Sequence, residues 1–208
     1  MSPVSDPAYP TDVKAALLTA AHTELREHGA DKLSLRAIAE RAGVSRATPK
    51  WHFGDRAGLL SAVAAEGYRQ LGTHLDAAAA AADPDPGARF TAIGRAYLDF
   101  GLAHRELFTL MFRPAELHAD DPALVAARNA SFAGLTDVTA ALDPGGAALA
   151  PGSPDGLPLL AWAAAHGLVV LVRDGALQRL TGIDTDDGAA DLAHRLVGVF
   201  TALARPAR

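Results

Sequence analysis

Cysteine does not occur among the 208 residues, which excludes both a disulfide framework and a thiolate-ligated metal site. Sustained apolar–polar alternation at a period of two is missing, so the sequence gives no reason to expect strands. The opening residues, MSPVSDPAYPTDVK, lack the basic-then-apolar pattern of a secretory signal, which favours the cytoplasm. The longest apolar run, LPLLAWAAAHGLVVLV, contains a histidine and falls short of the roughly 20 residues a membrane span needs. It is read as a buried helix, with no membrane partner expected. There is no phosphate-cradling glycine loop, dinucleotide fingerprint or nucleophile elbow. The eight histidines include no close pair at metal-ligand spacing with a carboxylate, and HREL at 104–107 lacks the second histidine of a zinc-protease helix. The expectation is a chain with no catalytic residue, cofactor or metal.

Half of the residues are apolar, enough for a substantial core, and the net charge is −5. That charge argues against a general nucleic-acid binder, but its distribution is uneven. Residues 1–60 hold 8 Lys+Arg against 7 Asp+Glu, whereas the remainder holds 11 against 17. Within 45–56 stand Arg46, Lys50 and Arg56 with a single acid, Asp55. A local basic patch on an acidic protein fits DNA contact by one small face. Lysine is scarce, 3 against 16 arginines, a bias assigned to GC-rich coding rather than to function.

Helical periodicity runs through almost the whole chain, so the fold class is all-α, with no internal repeat. Thr11 is expected to cap a helix ending at His28, with Gly29 as its stop. Ser34 can cap a short helix ended by Gly43, Ser45 the next, and Asp55 a long one from 56 to about 82. DPDP at 83–86 interrupts, and helical patterns resume over 87–112 and 122–142. DPGGAALAPGSPDG at 143–156 reads as a mobile loop, and two last helices are expected over 157–180 and 186–204.

Two short helices joined by Gly43, Val44 and Ser45 have the dimensions of a helix-turn-helix. Gly43 permits a positive φ, and Val44 can fill the space between the helices. Pro49, four residues after Ser45, faces no fully wound preceding turn, so the mid-helix cost of about 3 kcal/mol is reduced. The second helix presents Arg46, Thr48, Lys50 and His52 to phosphate or base edges. The stretch LSLRAIAERAGVSRATPKWHFGDRAGLL resembles the DNA-binding region of the TetR family of bacterial regulators. The matching residues are Ser34 (for threonine), Ile38, Ala39, Ala42, Gly43, Val44, Ser45, His52, Phe53, Arg56 (for lysine) and Leu59. The family's tyrosine, a phosphate contact, is Lys50 here, which can serve phosphate as a point charge or be redirected to a guanine edge.

The resemblance implies Arg36, Arg46, Ala47 and Thr48 as base contacts, and Ser34, Lys50, His52 and Arg56 as phosphate contacts, beside the helix-starting Ser45. Trp51 is expected to pack rather than read bases, and Phe53, Val44, Ile38 and Leu59 to form the small core. Trp162, His166, Gly167, Asp174 and Gly175 resemble a subgroup marked by a tryptophan, a histidine-glycine pair and a later aspartate-glycine. The family resemblance carried by residues 33–60 implies a DNA-binding domain over 1–60 and a helical effector-binding and dimerisation domain over 61–208. The family implies a palindromic double-stranded operator, a small-molecule effector and a homodimer.

An effector site is expected where two stripes meet: Phe90, Ile93, Tyr97, Phe100 and His104, continued by Phe108, Met111 and Phe112, and the later face of Trp162, His166, Val169 and Arg173. Tyr97, His104 and His166 would be its polar handles, although each stripe also suits ordinary core. Leu192, Leu196, Val199, Phe200 and Leu203, with Leu168 and Leu171, suit a four-helix dimer interface through the last two helices, or packing within one chain. Two alternatives stay open: a DNA-binding module without an effector or under a partner protein's control, and an all-helical enzyme using scattered His and Asp.

Overall fold

A computed structural model describes residues 12–143 and 156–205. Among them are ten α-helices and no strand: α1 Val13–His28, α2 Leu35–Arg41, α3 Thr48–Phe53, α4 Arg56–Ala81, α5 Pro86–Ala103, α6 Arg105–Met111, α7 Pro122–Leu142, α8 Gly156–Arg173, α9 Ala176–Thr181 and α10 Asp186–Ala204. Two 3-10 turns lie at Ala30–Lys32 and Pro114–Glu116. The chain forms two compact units, one from Met1–Tyr68 with Arg105–Arg128 and the other from Arg69–His104 with Asn129–Arg208. The division falls within α4 and α7. The reason is that α6 packs on α1, which draws a later segment into the first unit.

In the first unit, α1 packs on α2 and α2 on α3 around Leu17, Leu25, Leu33, Ile38, Leu59 and Leu60, all fully buried. Leu17, Ala21 and Leu25 recur at four-residue spacing, so one α1 face enters this core. Thr11 lies outside the described residues, and the cap of α1 is Asp12, whose Oδ1 accepts from Ala15 N–H at 3.0 Å. Arg41 ties α2 to α1, donating to Glu24 and to Glu27 at 2.6 Å each, while His28 lies 3.2 Å from Glu24. These acids hold the Arg41 pKa above its usual value, Glu24 foremost. Ligand atoms of Glu24, Glu27 and His28 lie within 4.8 Å of one another, a grouping the histidine spacing did not reveal, but the guanidinium already occupies both carboxylates. Tyr68 of α4, buried, donates its hydroxyl proton to the Met111 carbonyl of α6 at 2.9 Å. Gly67 leaves the room α6 needs: a Cβ there would stand 2.8 Å from Met111 Sδ and 2.9 Å from Leu107 Cδ1.

In the second unit α5, α8 and α10 pack on one another. Asp85 caps α5 by accepting from Ala88 N–H at 2.9 Å, and Pro86 opens the helix where its missing N–H costs nothing. The helical pattern over 87–112 divides at His104, so α5 and α6 are separate helices. The single helix expected over 157–180 is likewise two: Gly175, in the left-handed region at φ 67°, ends α8 and starts α9. The expected loop at 143–156 lies, except for its first and last residues, outside the described residues. A cluster of Phe90, Leu142 and Ala161 is surrounded by Leu135, Val138, Leu157, Phe200 and Ala204.

The face that α10 buries is small (Ala189, Ala193, Val197 and Thr201), while Val199 and Leu203 are exposed. On α8, Leu160, Val170 and Leu171 are exposed as well, so this helix is not the fully buried element its composition suggested. Its mean hydropathy of 1.5 over 18 residues makes it long and apolar enough, by length and composition alone, to cross a membrane.

Candidate nucleic-acid interface

The turn between α2 and α3 is fixed by backbone bonding. Ala42 ends α2, Gly43 takes φ 67°, and two reverse bonds close the end: Val44 N–H to Ala39 O at 3.0 Å and Gly43 N–H to Glu40 O at 3.3 Å. This is the Schellman arrangement, and glycine provides the left-handed residue it needs. Ser34 caps α2 as expected, its Oγ accepting from Ala37 N–H at 3.2 Å. Ser45 does not cap α3. Its hydroxyl pairs with Thr48 Oγ1 at 2.8 Å, its carbonyl accepts from Thr48 N–H at 3.0 Å, and α3 begins only at Thr48. Pro49 is therefore the second helical residue, where no intrahelical N–H is required of it, and the expected penalty disappears.

Helix geometry then sorts the side chains. Pro49 is buried and Phe53, four residues on, half-buried, so these two mark the inner face of α3. Lys50, Trp51 and His52 fall on the outer side and are exposed, as are Ser34, Arg36, Ser45, Arg46 and Ala47, while Thr48 is half-buried. Trp51 is 90% exposed. The expectation that it packs fails because residue 51 is about 200° around the helix from Pro49. Arg36 and Arg46, from α2 and the turn, share one acceptor: Glu40 lies 3.1 Å from Arg36 Nε and 3.5 Å from Arg46 Nη2. The sequence reading overlooked Glu40, although an Arg-x-x-x-Glu spacing on a helix was visible.

Arg56 was expected at phosphate, but its guanidinium is taken up inside the unit. It donates to Ala30 O at 2.6 Å and Leu33 O at 3.1 Å, and stands 3.4 Å from Glu116. Beside it Asp55 caps α4 by accepting from Gly58 N–H at 2.8 Å and meets His118 Nε2 at 3.0 Å. The Gly58 N–H and, next, His118 hold the Asp55 carboxyl below its ordinary pKa. Arg113 bridges Asp31 at 3.3 Å and Glu116 at 3.1 Å, and the His118 N–H donates to Ser61 Oγ at 2.8 Å. The segment after α6 is thus seated on the Ala30–Lys32 turn and the start of α4, which follows the helix-turn-helix, by polar contacts at 113, 116 and 118. No sequence signal pointed to it, because those contacts join residues some 60 to 80 positions apart.

The residues expected at an effector are distributed over both units. Phe108 and Met111 are buried in the first, where Phe112 lies edge-on to Tyr68 at 5.9 Å between ring centroids. Tyr97, Phe100, His104, Trp162 and His166 belong to the second. Trp162 Nε1–H donates to the Tyr97 hydroxyl at 3.1 Å, and that hydroxyl lies 3.1 Å from His166 Nδ1. An indole N–H only donates, so the Tyr97 oxygen accepts there. Burial, and after it the Arg173 charge, pushes the His166 pKa down. With Nδ1 unprotonated, the Tyr97 hydroxyl donates a hydrogen bond to it and completes this trio. Phe100 is buried with its ring 4.6 Å from that of the exposed His104 at the end of α5.

A capped helix, a left-handed glycine turn and a short second helix with cations on its outer face define a helix-turn-helix DNA-binding protein. Residues 17–63 match "Bacterial regulatory proteins, tetR family", and residues 90–200 match "Tetracyclin repressor-like, C-terminal domain". A protein of unknown function from Rhodococcus sp. RHA1 is 32% identical over 94% of this chain and 98% of its own, with a TM-score of 0.75. A TetR-family transcription regulator from Marinobacter aquaeolei VT8 shares the fold at a TM-score of 0.63 and 22% identity, over 90% of this chain and 94% of its own. Another from Pectobacterium atrosepticum does so at 0.65 and 20%, over 90% and 91%. No curated protein matches the chain. The chain belongs to the TetR family of bacterial transcriptional regulators.

Proposed function

We propose that this regulator is a cytoplasmic homodimeric repressor that reads a palindromic operator and is released by a small, largely apolar effector. In this reading residues 1–60 recognise DNA and residues 61–208 bind effector and partner. The observation that carries it is the exposed row of Arg46, Lys50, Trp51 and His52, in the turn and on α3, with Arg36 exposed on α2. Arg36, Arg46, Ala47 and Thr48 are assigned to base edges, and Ser34, Ser45, Lys50 and His52 to phosphate. One short helix reads few base pairs, so two copies about 34–36 Å apart on the duplex are needed for a useful site. The exposed apolar side chains of α8 and α10 support a dimer through those helices.

The effector is assigned to the Tyr97, Trp162 and His166 face, with Phe100 on the same helix as Tyr97 and His104 at the cap that ends it. An effector coupling of about 1–3 kcal/mol lowers operator affinity about 5- to 150-fold, reciprocally. The first test is a fluorescence-anisotropy titration with the upstream intergenic DNA and with scrambled DNA at equal salt. Tight binding to the upstream fragment alone supports the reading, and equal weak binding to both refutes it. With that assay, Trp162→Phe removes the donor to Tyr97 while keeping an aromatic ring. An altered effector response with unchanged DNA affinity supports the assignment, whereas lowered stability with an unchanged response returns the trio to the core.

A further inference from the structure

Glu40 is a carboxylate standing among the cations of the DNA-facing side. Its Oε1 accepts from Arg36 Nε at 3.1 Å, one turn away on α2, and lies 3.5 Å from Arg46 Nη2 in the turn before α3. Glu40 is 55% exposed and each arginine 69%, so these pairs add little to folding. Facing a polyanion, the same carboxylate opposes binding. Its geometric effect is different. With Arg36 Nε engaged, the guanidinium keeps its two terminal nitrogens for an acceptor beyond Glu40, and that edge can fork onto O6 and N7 of a guanine. One carboxylate also draws Arg36 and Arg46, from two separate segments, to a single point.

We propose that Glu40 is the positioning residue that sets sequence specificity: it holds Arg36 and Arg46 toward base edges and withholds them from phosphate. This rests on the DNA-binding reading of the α2–α3 face. Without Glu40, each arginine can swing to the nearest phosphate, a contact that adds affinity but carries no sequence information. With Glu40, a swing to phosphate must break the ion pair, whereas an end-on guanine contact preserves it. Glu40 therefore penalises nonspecific binding more than specific binding.

The test uses the full-length protein and Glu40→Gln, Glu40→Asp, Arg36→Ala and Glu40→Gln/Arg36→Ala variants, each selected against a pool of random-sequence duplexes. The best wild-type duplex and a scrambled one are then titrated with every protein, and the preferences lost in Arg36→Ala identify the base pairs it reads. Glu40→Gln should bind scrambled DNA about threefold tighter, for want of one like charge near phosphate. It should also lose about fivefold or more of its preference at the Arg36 base pairs, the lower end of what one bidentate guanine contact contributes. Glu40→Asp keeps the charge but lacks the reach to hold the arginines, so it should bind scrambled DNA more tightly than wild type, though less so than Glu40→Gln does, and still lose preference. In the double variant, Glu40→Gln should change nothing further at those base pairs. Equal tightening on both duplexes, or a preference that survives both substitutions, overturns the proposal. Wild-type protein that enriches no sequence overturns the DNA-binding reading itself.

Discussion

Replacing Arg56 by methionine decides between the sequence expectation, a phosphate contact, and the structure, a brace. Methionine keeps much of the aliphatic stem and removes every donor. The carbonyls of Ala30 and Leu33 then lose partners at 2.6 and 3.1 Å, and Glu116 loses a cation at 3.4 Å. Hydrogen bonds to a charged group contribute about 1.5–3 kcal/mol each when buried. The Arg56 side chain is 40% exposed, so water replaces part of what is lost. The two carbonyls together then cost about 2–3 kcal/mol, and the part-buried but long Glu116 pair adds roughly 0.5 kcal/mol. In a chain of this size, about 2–4 °C per kcal/mol places the fall in melting temperature at roughly 5–10 °C. The assay is thermal unfolding by circular dichroism, paired with operator binding across a salt series. A phosphate contact would leave a different trace: weaker binding to all DNA and a log–log salt slope smaller by about one. The expected result is a lowered melting temperature with an unchanged slope. An unchanged melting temperature with a reduced slope would refute the brace and restore Arg56 to phosphate.

Three further outcomes follow from named contacts. Lys50→Ala should weaken binding to specific and scrambled duplexes alike and reduce the salt slope by about one, whereas a change in preferred sequence would make Lys50 a base reader. Burial pushes the Tyr68 hydroxyl up to about 12, so its stabilising contribution is complete below pH 10, where the unfolded side chain titrates, and is lost as pH rises towards 12. Tyr68→Phe should lack that alkaline loss of about 2–3 kcal/mol, and should cost about 1–2 kcal/mol near neutrality by leaving the Met111 carbonyl unpaired; parallel alkaline curves for the two proteins would contradict the burial argument. His166 is shifted the other way, so the unfolded chain takes up its proton first as pH falls below about 6.5, and stability present above that value declines through the acid range. His166→Gln should flatten this decline in unfolding measured across that range, and an unaltered slope would show that His166 is not held neutral.

Much of the fold was legible because its boundaries rest on local chemistry. Ser34, Gly43 and Asp55 each act within three or four residues of themselves, and the helix ends fall where their side chains and φ angles put them. The failures are equally local in cause. Ser45 bonds to a hydroxyl instead of a backbone N–H, which delays α3 to Thr48, and the left-handed Gly175 splits a stretch that apolar periodicity made continuous. Periodicity records which faces are apolar, and two helices in line satisfy it as well as one. The contacts of Arg56 were hidden for another reason. A cation beside a cap looks the same in sequence whether it faces a phosphate or a carbonyl 26 residues back, and only the fold brings Ala30 to it.

The two units differ in how far sequence can specify them. DNA offers the same phosphate spacing and groove to every binder, so the chemistry that meets it is confined to a few donors on a short, exposed helix. The resulting pattern of glycine turn, cations and a half-buried aromatic anchor is compact enough to survive as a motif. A small-molecule site inside a helical unit is built from the same apolar and aromatic side chains as the core around it. The bonds from Trp162 to Tyr97 and from Tyr97 to His166 satisfy three polar groups that burial would otherwise penalise. That requirement is met equally by a packed interior and by a site waiting for an acceptor. The ambiguity lies in the physics of buried polar groups, not in how the sequence is read, and so it is a perturbation of the trio, rather than a motif, that can separate the two roles.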